Sequence, residues 1–196
     1  MSVATFAGQA WANFQKTAAV VPSSRFLAEA MVEPLPLRAA KVVVELGPGT
    51  GVMTRELLQL VPDDCQVLAF EINPQFIEYL RNEVQDPRLE VVASGAENAA
   101  AELRRRGYTR VDAVLSSLGF GTMPEAFSHQ VIRGLRPFLD RRSGLTQFQY
   151  VQGIRWYDGG VEFFDLREVL GQYFSHVRRR KVWRNLPPAN VLHCRV

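Results

Sequence analysis

The chain has 196 residues, 47% of them hydrophobic and 22% charged, with a formal net charge of +3, which is typical of one globular domain with a sizeable core. The composition excludes two classes, because no apolar run is long enough to span a bilayer and the N-terminus lacks the layout of a signal peptide, so we expect a cytoplasmic protein. Cys65 and Cys194 lack the spacing of metal ligands, and we expect reduced, structural thiols and no metal site.

The predicted elements alternate between strand and helix from residue 41 onward. Short runs rich in β-branched residues predict strands at Lys41–Leu46, Gln66–Glu71, Leu89–Ala93, Val111–Ser116 and Leu145–Val151. Apolar residues at helical spacing predict helices between and after them, at Thr50–Val61, Pro74–Val84, Ala96–Arg106, Pro124–Phe138 and Glu162–Tyr173. A last pair of strands is predicted at Val177–Trp183 and Val191–Val196.

This alternation predicts an α/β fold of the Rossmann-like, doubly wound type. Its sheet should have seven strands, mostly parallel, with an antiparallel terminal strand. Two further helices are predicted before residue 41, at about Ser2–Ala19 and Ser23–Met31, and a serine can cap the second. We therefore divide the chain into an N-terminal helical segment, residues 1–40, and a main domain, residues 41–196.

A glycine-rich loop follows the first predicted strand. Gly47, Gly49 and Gly51 form the pattern G-x-G-x-G, with Pro48 and Thr50 between them. Glycine permits positive φ and has no Cβ to keep a ligand away from the backbone. The helix that follows directs free N–H groups at the loop, which favours an anionic part of a ligand such as a carboxylate.

An acidic residue ends the second predicted strand. Glu71 lies twenty residues after Gly51, where a carboxylate can accept hydrogen bonds from two ribose hydroxyls. A phosphate-binding loop would need a lysine after longer spacing, and the dinucleotide pattern G-x-G-x-x-G fails at Val52. The strand, the glycine loop, the helix after it and Glu71 together predict S-adenosylmethionine as the ligand. The alternatives are a structural turn and another nucleotide.

The stretches "VELGPGTG" and "FEINPQF" resemble class I S-adenosylmethionine-dependent methyltransferases. The resemblance implies that Glu45 and the glycine loop hold the methionine part, that Glu71 holds the ribose and that Ile72 packs on the adenine. Residues after the third and fourth strands complete the cofactor site that it implies, namely the Ala96 backbone, the Glu97 side chain and Ser116. The product of the cofactor would be S-adenosylhomocysteine.

The segment "SSLGFGTMP", residues 116–124, follows the fourth predicted strand. In amine-methylating members of the family, backbone carbonyls of this turn accept hydrogen bonds from the target nitrogen, and an aromatic ring packs near the developing cation. The resemblance assigns these roles to Ser117, Leu118 and Phe120, with Tyr150 at the end of the fifth strand as a second aromatic. The alternative for both aromatic residues is a place in the core.

Two further segments, "KTAAVVPSSRFLAEAM" and "VWRNLPPANV", resemble bacterial phospholipid N-methyltransferases. This resemblance implies stepwise methylation of phosphatidylethanolamine towards phosphatidylcholine by an enzyme bound to the inner face of the membrane. The apolar side of the first helix would then insert at an anionic surface, although a lid over the domain is an equal alternative. Residues expected to contact membrane or lipid are Trp11, Phe14, Lys16, Ser23, Ser24 and Arg25.

Two alternatives to this function stay open. One is an N-methyltransferase of adenine in RNA or of a small soluble amine. The chain has no room for an added recognition domain, so we expect no stable nucleic-acid partner. The other is a non-catalytic module that binds lipid or nucleotide. The sequence does not determine the oligomeric state.

Overall fold

The computed structural model describes residues 23–151, 154–157 and 160–196. The helices are α1 Arg25–Val32, α2 Val52–Leu60, α3 Pro74–Glu83, α4 Ala99–Arg105, α5 Glu125–Leu135 and α6 Leu166–Gly171. The strands are β1 Val42–Leu46, β2 Gln66–Glu71, β3 Leu89–Ala93, β4 Ala113–Ser116, β5 Gly144–Tyr150, β6 Ile154–Tyr157, β7 Gly160–Phe163, β8 His176–Val182 and β9 Ala189–Arg195. Short 3₁₀ helices lie at Leu37–Ala39, Ala96–Asn98, Phe120–Thr122 and Arg136–Phe138.

Seven of these strands form one sheet in the order β3-β2-β1-β4-β5-β9-β8. Strands β1 to β5 pair in parallel, and β9 is antiparallel to both of its neighbours, β5 and β8. The predicted Rossmann-like sheet with an antiparallel terminal strand is therefore confirmed. The carboxyl ends of β1, β2 and β4 meet at one edge, where such sheets bind ligands.

Helices cover both faces of the sheet. Val43 and Val44, adjacent in β1, are both fully buried, yet they belong to different apolar clusters on opposite faces. One cluster holds residues of α1 and α2, and the other holds residues of α4, α5 and α6. Burial on both faces explains why the parallel strands are continuous apolar runs rather than alternating ones.

The structure corrects one predicted element and adds another. A helix starting at Glu162 is wrong, because residues 160–163 form β7, which pairs with β6 in a hairpin that the sequence did not reveal. The helix α6 begins only after Asp165, whose side chain accepts a hydrogen bond from the Arg167 N–H, 2.9 Å away, and so caps it.

Residues 23–40 of the predicted N-terminal segment pack on the sheet. Helix α1 lies against β5, β9 and β8, and its Leu27 and Met31 are buried. The predicted helix Ser2–Ala19, with Trp11, Phe14 and Lys16, lies outside the described residues, so its role as lid or membrane contact stays a prediction. Within the described ranges, none of the helices is long and apolar enough to cross a bilayer.

Candidate active site

The glycine loop turns the chain sharply from β1 into α2. Gly47, Gly49 and Gly51 have φ angles of 70°, 56° and 75°, in the left-handed region. The Gly47 N–H donates to the Phe70 carbonyl at 2.9 Å, which ties the loop to β2. A Cβ built on Gly49 would meet no atom within 4 Å. The loop therefore leaves open space in front of Gly49, where a ligand can approach the backbone.

Glu71 joins the glycine loop to the start of α3. Its Oε2 accepts a hydrogen bond from the Gly49 N–H at 3.1 Å, and its Oε1 accepts from the N–H groups of Ile72 and Asn73 at 2.8 and 2.9 Å. Burial raises the pKa of Glu71, and these three N–H groups oppose the rise. A carboxylate has about four acceptor positions, so one remains for a ribose hydroxyl without disturbing the loop.

Glu45 lies behind the loop in β1 and is fully buried. The Thr54 hydroxyl donates to its Oε2 at 2.8 Å, whereas its Oε1 has no hydrogen-bond partner among the described residues. Burial raises the pKa of Glu45 to about 8, the Thr54 hydrogen bond opposes this, and the charge of Glu71 adds to it. A cationic or hydrogen-bond-donating ligand group at the loop would stabilise the charged form of Glu45.

Glu45→Gln is expected to remove a pH-dependent loss of stability. Because the pKa of Glu45 rises from 4.5 to about 8 on folding, the folded state keeps a proton that the unfolded state has lost in this window. The free energy of unfolding of the parent should therefore fall as pH rises, by on the order of 1.4 kcal/mol per pH unit at most. Urea unfolding of the parent and the variant between about pH 5 and pH 8 measures this dependence. If the free energy of unfolding of the variant fell with pH as steeply as that of the parent, Glu45 would not be its source.

A groove of about 780 Å³ runs beside Glu71, between α3 and the loop after β3. Ile72, 41% exposed, presents apolar surface to it, and Ser94 and Gly95 line the other side. Ala96 is buried in the core, and the Glu97 carboxylate folds back over Gly95; neither is among the lining residues. The structure thus brings Ile72 to the groove but not these two, whose contact with adenine stays a prediction.

The loop after β4 packs directly on the glycine loop. The Ser117 N–H donates to the Leu46 carbonyl at 2.8 Å, and the Ser117 hydroxyl donates to the Met53 sulfur at 3.0 Å. A Cβ on Gly47 would lie 3.1 Å from Leu118 Cδ2, so a larger residue there would have to displace the Leu118 side chain by a few tenths of an ångström. Ser116 is buried, and its hydroxyl has no hydrogen-bond partner in the part of the chain described.

The carbonyl groups of this loop are not equally available. The Leu118 oxygen accepts from the Phe120 N–H at 2.9 Å and from the Gln147 amide at 2.8 Å, which uses both of its lone pairs. The Ser117 oxygen accepts no hydrogen bond from any described residue. For binding an amine, the structure therefore favours the Ser117 carbonyl over that of Leu118. Gln147 was not among the predicted site residues, and its signal in the sequence was a polar side chain in the middle of the fifth predicted strand.

The two candidate aromatic residues lie in different surroundings. Phe120 is 3% exposed, and its ring centroid is 6.4 Å from that of Phe127 in the core, so here it is a packing residue rather than an open cation site. Tyr150 is half-buried at the end of β5, with its ring 5.4 Å from that of Phe148. Burial raises the pKa of Tyr150, so its hydroxyl stays protonated at neutral pH.

Ser24, the residue before α1, has a structural role. The Ser24 hydroxyl accepts from the Leu27 N–H at 3.2 Å and caps the helix, and Ser23 precedes it half-buried. Arg25 is exposed, with its guanidinium 4.9 Å from the centre of the Phe26 ring. Contact of these residues with a lipid phosphate stays a prediction.

Comparison with known proteins identifies the fold and the family. A methyltransferase domain model matches residues 43–140. Ornithine lipid N-methyltransferase from Singulisphaera acidiphila is 29% identical over 97% of this chain and 94% of its own length. Ribosomal RNA small subunit methyltransferase H from Chromobacterium violaceum is 31% identical over 77% of this chain, which spans only 47% of that relative.

Among solved structures, 1,6-didemethyltoxoflavin-N1-methyltransferase from Burkholderia thailandensis, with bound S-adenosylhomocysteine, superposes with a TM-score of 0.67 at 17% identity, over 98% of this chain and 88% of that one. The glycine loop, the acid that ends β2 and the seven-stranded sheet agree with the family match. The chain therefore belongs to the methyltransferase domain family, and its cofactor is S-adenosylmethionine.

Proposed function

We propose that the protein is a lipid N-methyltransferase that methylates phosphatidylethanolamine and its methylated derivatives. The observation that carries a lipid acceptor is the similarity to ornithine lipid N-methyltransferase, which extends over nearly the whole of both chains. The name of that relative states a lipid as the molecule that is methylated and nitrogen as the atom that receives the methyl group. Peripheral binding to the inner face of the membrane belongs to the same proposal.

The residues present fit the cofactor. Open space at Gly49 would receive its methionine part, and the buried Glu45 oxygen that has no partner matches an ammonium group or a bridging water. The remaining acceptor position of Glu71 would take a ribose hydroxyl, and the exposed side of Ile72 would support the adenine. S-adenosylmethionine supplies an electrophilic methyl group when bound.

The loop after β4 would orient the amine. The free Ser117 carbonyl can accept a hydrogen bond from a neutral amine, which aims the nitrogen lone pair towards the glycine loop. An amine held in this way would be placed to take the methyl group that the cofactor supplies, and its nitrogen would become positively charged. Exclusion of water favours the neutral amine, and a ring such as Tyr150 would stabilise the developing cation by roughly 0.5–2 kcal/mol.

Methylation of RNA is the second candidate function. Several relatives are ribosomal RNA small subunit methyltransferases, including one from Chromobacterium violaceum at 31% identity. The similarity covers 47% of that relative's length, against 94% of the length of ornithine lipid N-methyltransferase. We therefore place RNA second, together with a small soluble amine, and a non-catalytic binding module third.

Transfer of a radiolabelled methyl group separates these functions. Phosphatidylethanolamine vesicles, ornithine lipid, ribosomal RNA and free ethanolamine are offered in parallel, and we expect label in the phosphatidylethanolamine fraction. Label in ornithine lipid alone would keep a lipid acceptor and change the head group. Label in RNA with unlabelled lipid would reject the proposal, and cofactor binding without transfer to any acceptor would favour the module.

A further inference from the structure

The loop between β8 and β9, residues 183–188, exposes its largest apolar side chains. Trp183 is 65% exposed and Leu186 is 75% exposed. They are two of the few large apolar residues that are exposed in the described part of the chain, and they lie three positions apart. Exposed apolar residues grouped in this way mark an interaction surface more often than scattered ones do.

This exposure belongs to a loop that is held in place. Asn185, between the two apolar residues, is 5% exposed; its Nδ2 donates to the Pro187 carbonyl at 2.7 Å, and its Oδ1 accepts from the Ser24 N–H at 3.0 Å. The Pro188 carbonyl accepts from the Val151 N–H at 2.9 Å, just beyond β5. Because the backbone is fixed at both α1 and β5, Trp183 and Leu186 project outward, and binding does not require the loop backbone to become ordered.

Three basic side chains lie in or next to this loop. Lys181 Nζ lies 5.3 Å from the Trp183 ring, and the guanidinium groups of Arg184 and Arg25 lie 3.8 and 4.9 Å from the Phe26 ring. Within the described ranges, none of these three cations forms an ion pair, whereas the nearby Arg180 pairs with Glu33. Free cations beside an exposed tryptophan match the anionic head groups and the interfacial layer of a bilayer.

We propose that residues 183–188, with Arg25 and Lys181, form a membrane-docking loop that binds an anionic lipid surface. The choice of a lipid partner rests on the proposed function. Strand β8 runs parallel to β5, so the loop lies at the same edge of the sheet as the glycine loop. Docking there holds this edge, with the Ser117 carbonyl, against the membrane that carries the amine.

Sedimentation with vesicles of equal parts phosphatidylcholine and phosphatidylglycerol tests the loop without requiring catalysis. We expect the double variant Trp183→Ala, Leu186→Ala to bind at least about tenfold more weakly than the parent, because both interfacial side chains are lost. Lys181→Glu with Arg184→Glu should abolish binding. Affinity for S-adenosylhomocysteine should stay at the parental value in both variants. The melting temperature should stay parental in the Trp183→Ala, Leu186→Ala variant and fall slightly in the charge variant, which loses the contact of Arg184 with Phe26.

Arg141→Glu with Arg142→Glu is the matched control, since both arginines are exposed in the turn before β5, at the opposite edge of the sheet. This control should bind vesicles like the parent. Parental binding by the loop variants, an equal loss in the control, or no vesicle binding by the parent would each overturn the docking loop. So would a change of oligomeric mass in the loop variants, which would mark a contact between copies. Methyl transfer to detergent-dispersed lipid remains a separate test of the proposed function.

Discussion

Gly49→Val is expected to lower the affinity for S-adenosylhomocysteine at least about a hundredfold, which corresponds to roughly 2.7 kcal/mol of binding free energy. The space in front of Gly49 contains no protein atom within 4 Å of a built Cβ, so a valine side chain would enter the volume that the ligand needs. The backbone N–H that donates to Glu71 is kept in the variant. Isothermal titration measures the affinity, and thermal unfolding measures the stability.

The control for this variant is Gly107→Val. Gly107 has φ of 79°, and a Cβ there also meets no atom within 4 Å, but it lies after α4, away from the glycine loop. Both variants place a β-branched residue in the left-handed region and should lose a similar stability, on the order of 1–3 kcal/mol. If Gly107→Val weakened binding as much as Gly49→Val, backbone strain rather than a filled ligand space would explain the effect.

Glu71→Ala is expected to abolish detectable cofactor binding and to lower stability. The change leaves the N–H groups of Gly49, Ile72 and Asn73 without their acceptor and removes the group that would hold the ribose. Each N–H that stays buried and unpaired costs about 1–3 kcal/mol. Titration with S-adenosylhomocysteine and urea unfolding measure the two effects separately.

Glu71→Gln tests the charge and the hydrogen bonds of the Glu71 side chain at nearly constant side-chain volume. The amide keeps one acceptor oxygen and turns an NH₂ group towards N–H donors, so we expect affinity to fall at least about tenfold with little change in size. Glu83→Gln, at the exposed end of α3, is the same substitution outside the site and should leave affinity and stability unchanged. Parental affinity in Glu71→Gln would show that this carboxylate does not hold the ligand.

The cofactor half of the site was predictable because its signals are local. Three glycines must follow a buried strand within five residues, and the acid must end the next strand, whatever the rest of the chain does. Bounds predicted for β2 and β3 agree with the structure, since short apolar runs between turn residues have few other ways to fold. The prediction of a helix from Glu162 was wrong because residues 160–163 pair with residues 154–157 in a hairpin and so form β7.

The part of the site that would bind the methyl acceptor depends on contacts between residues far apart in the chain, which no local pattern encodes. Gln147 occupies the Leu118 carbonyl from 29 positions away, and this hydrogen bond leaves Ser117 as the available acceptor. The ring of Phe120 lies in the core because it packs against Phe127 of α5. The pKa of Glu45 is high because the side chain is completely buried. Each of these follows from packing between separate elements.

The sequence by itself thus determined the sheet, the turn at its ligand edge and the type of cofactor, because a strand run, a glycine turn and an acid at a strand end are each specified by a few consecutive residues. Only the tertiary structure decided which carbonyl is free, which aromatic ring is buried and that residues 183–188 are fixed with Trp183 and Leu186 outward. One of the hydrogen bonds that fix this loop joins Ser24 to Asn185, which are 161 positions apart. Packing of α1 across β5, β9 and β8 brings this pair together, and no local pattern in the sequence specifies that contact.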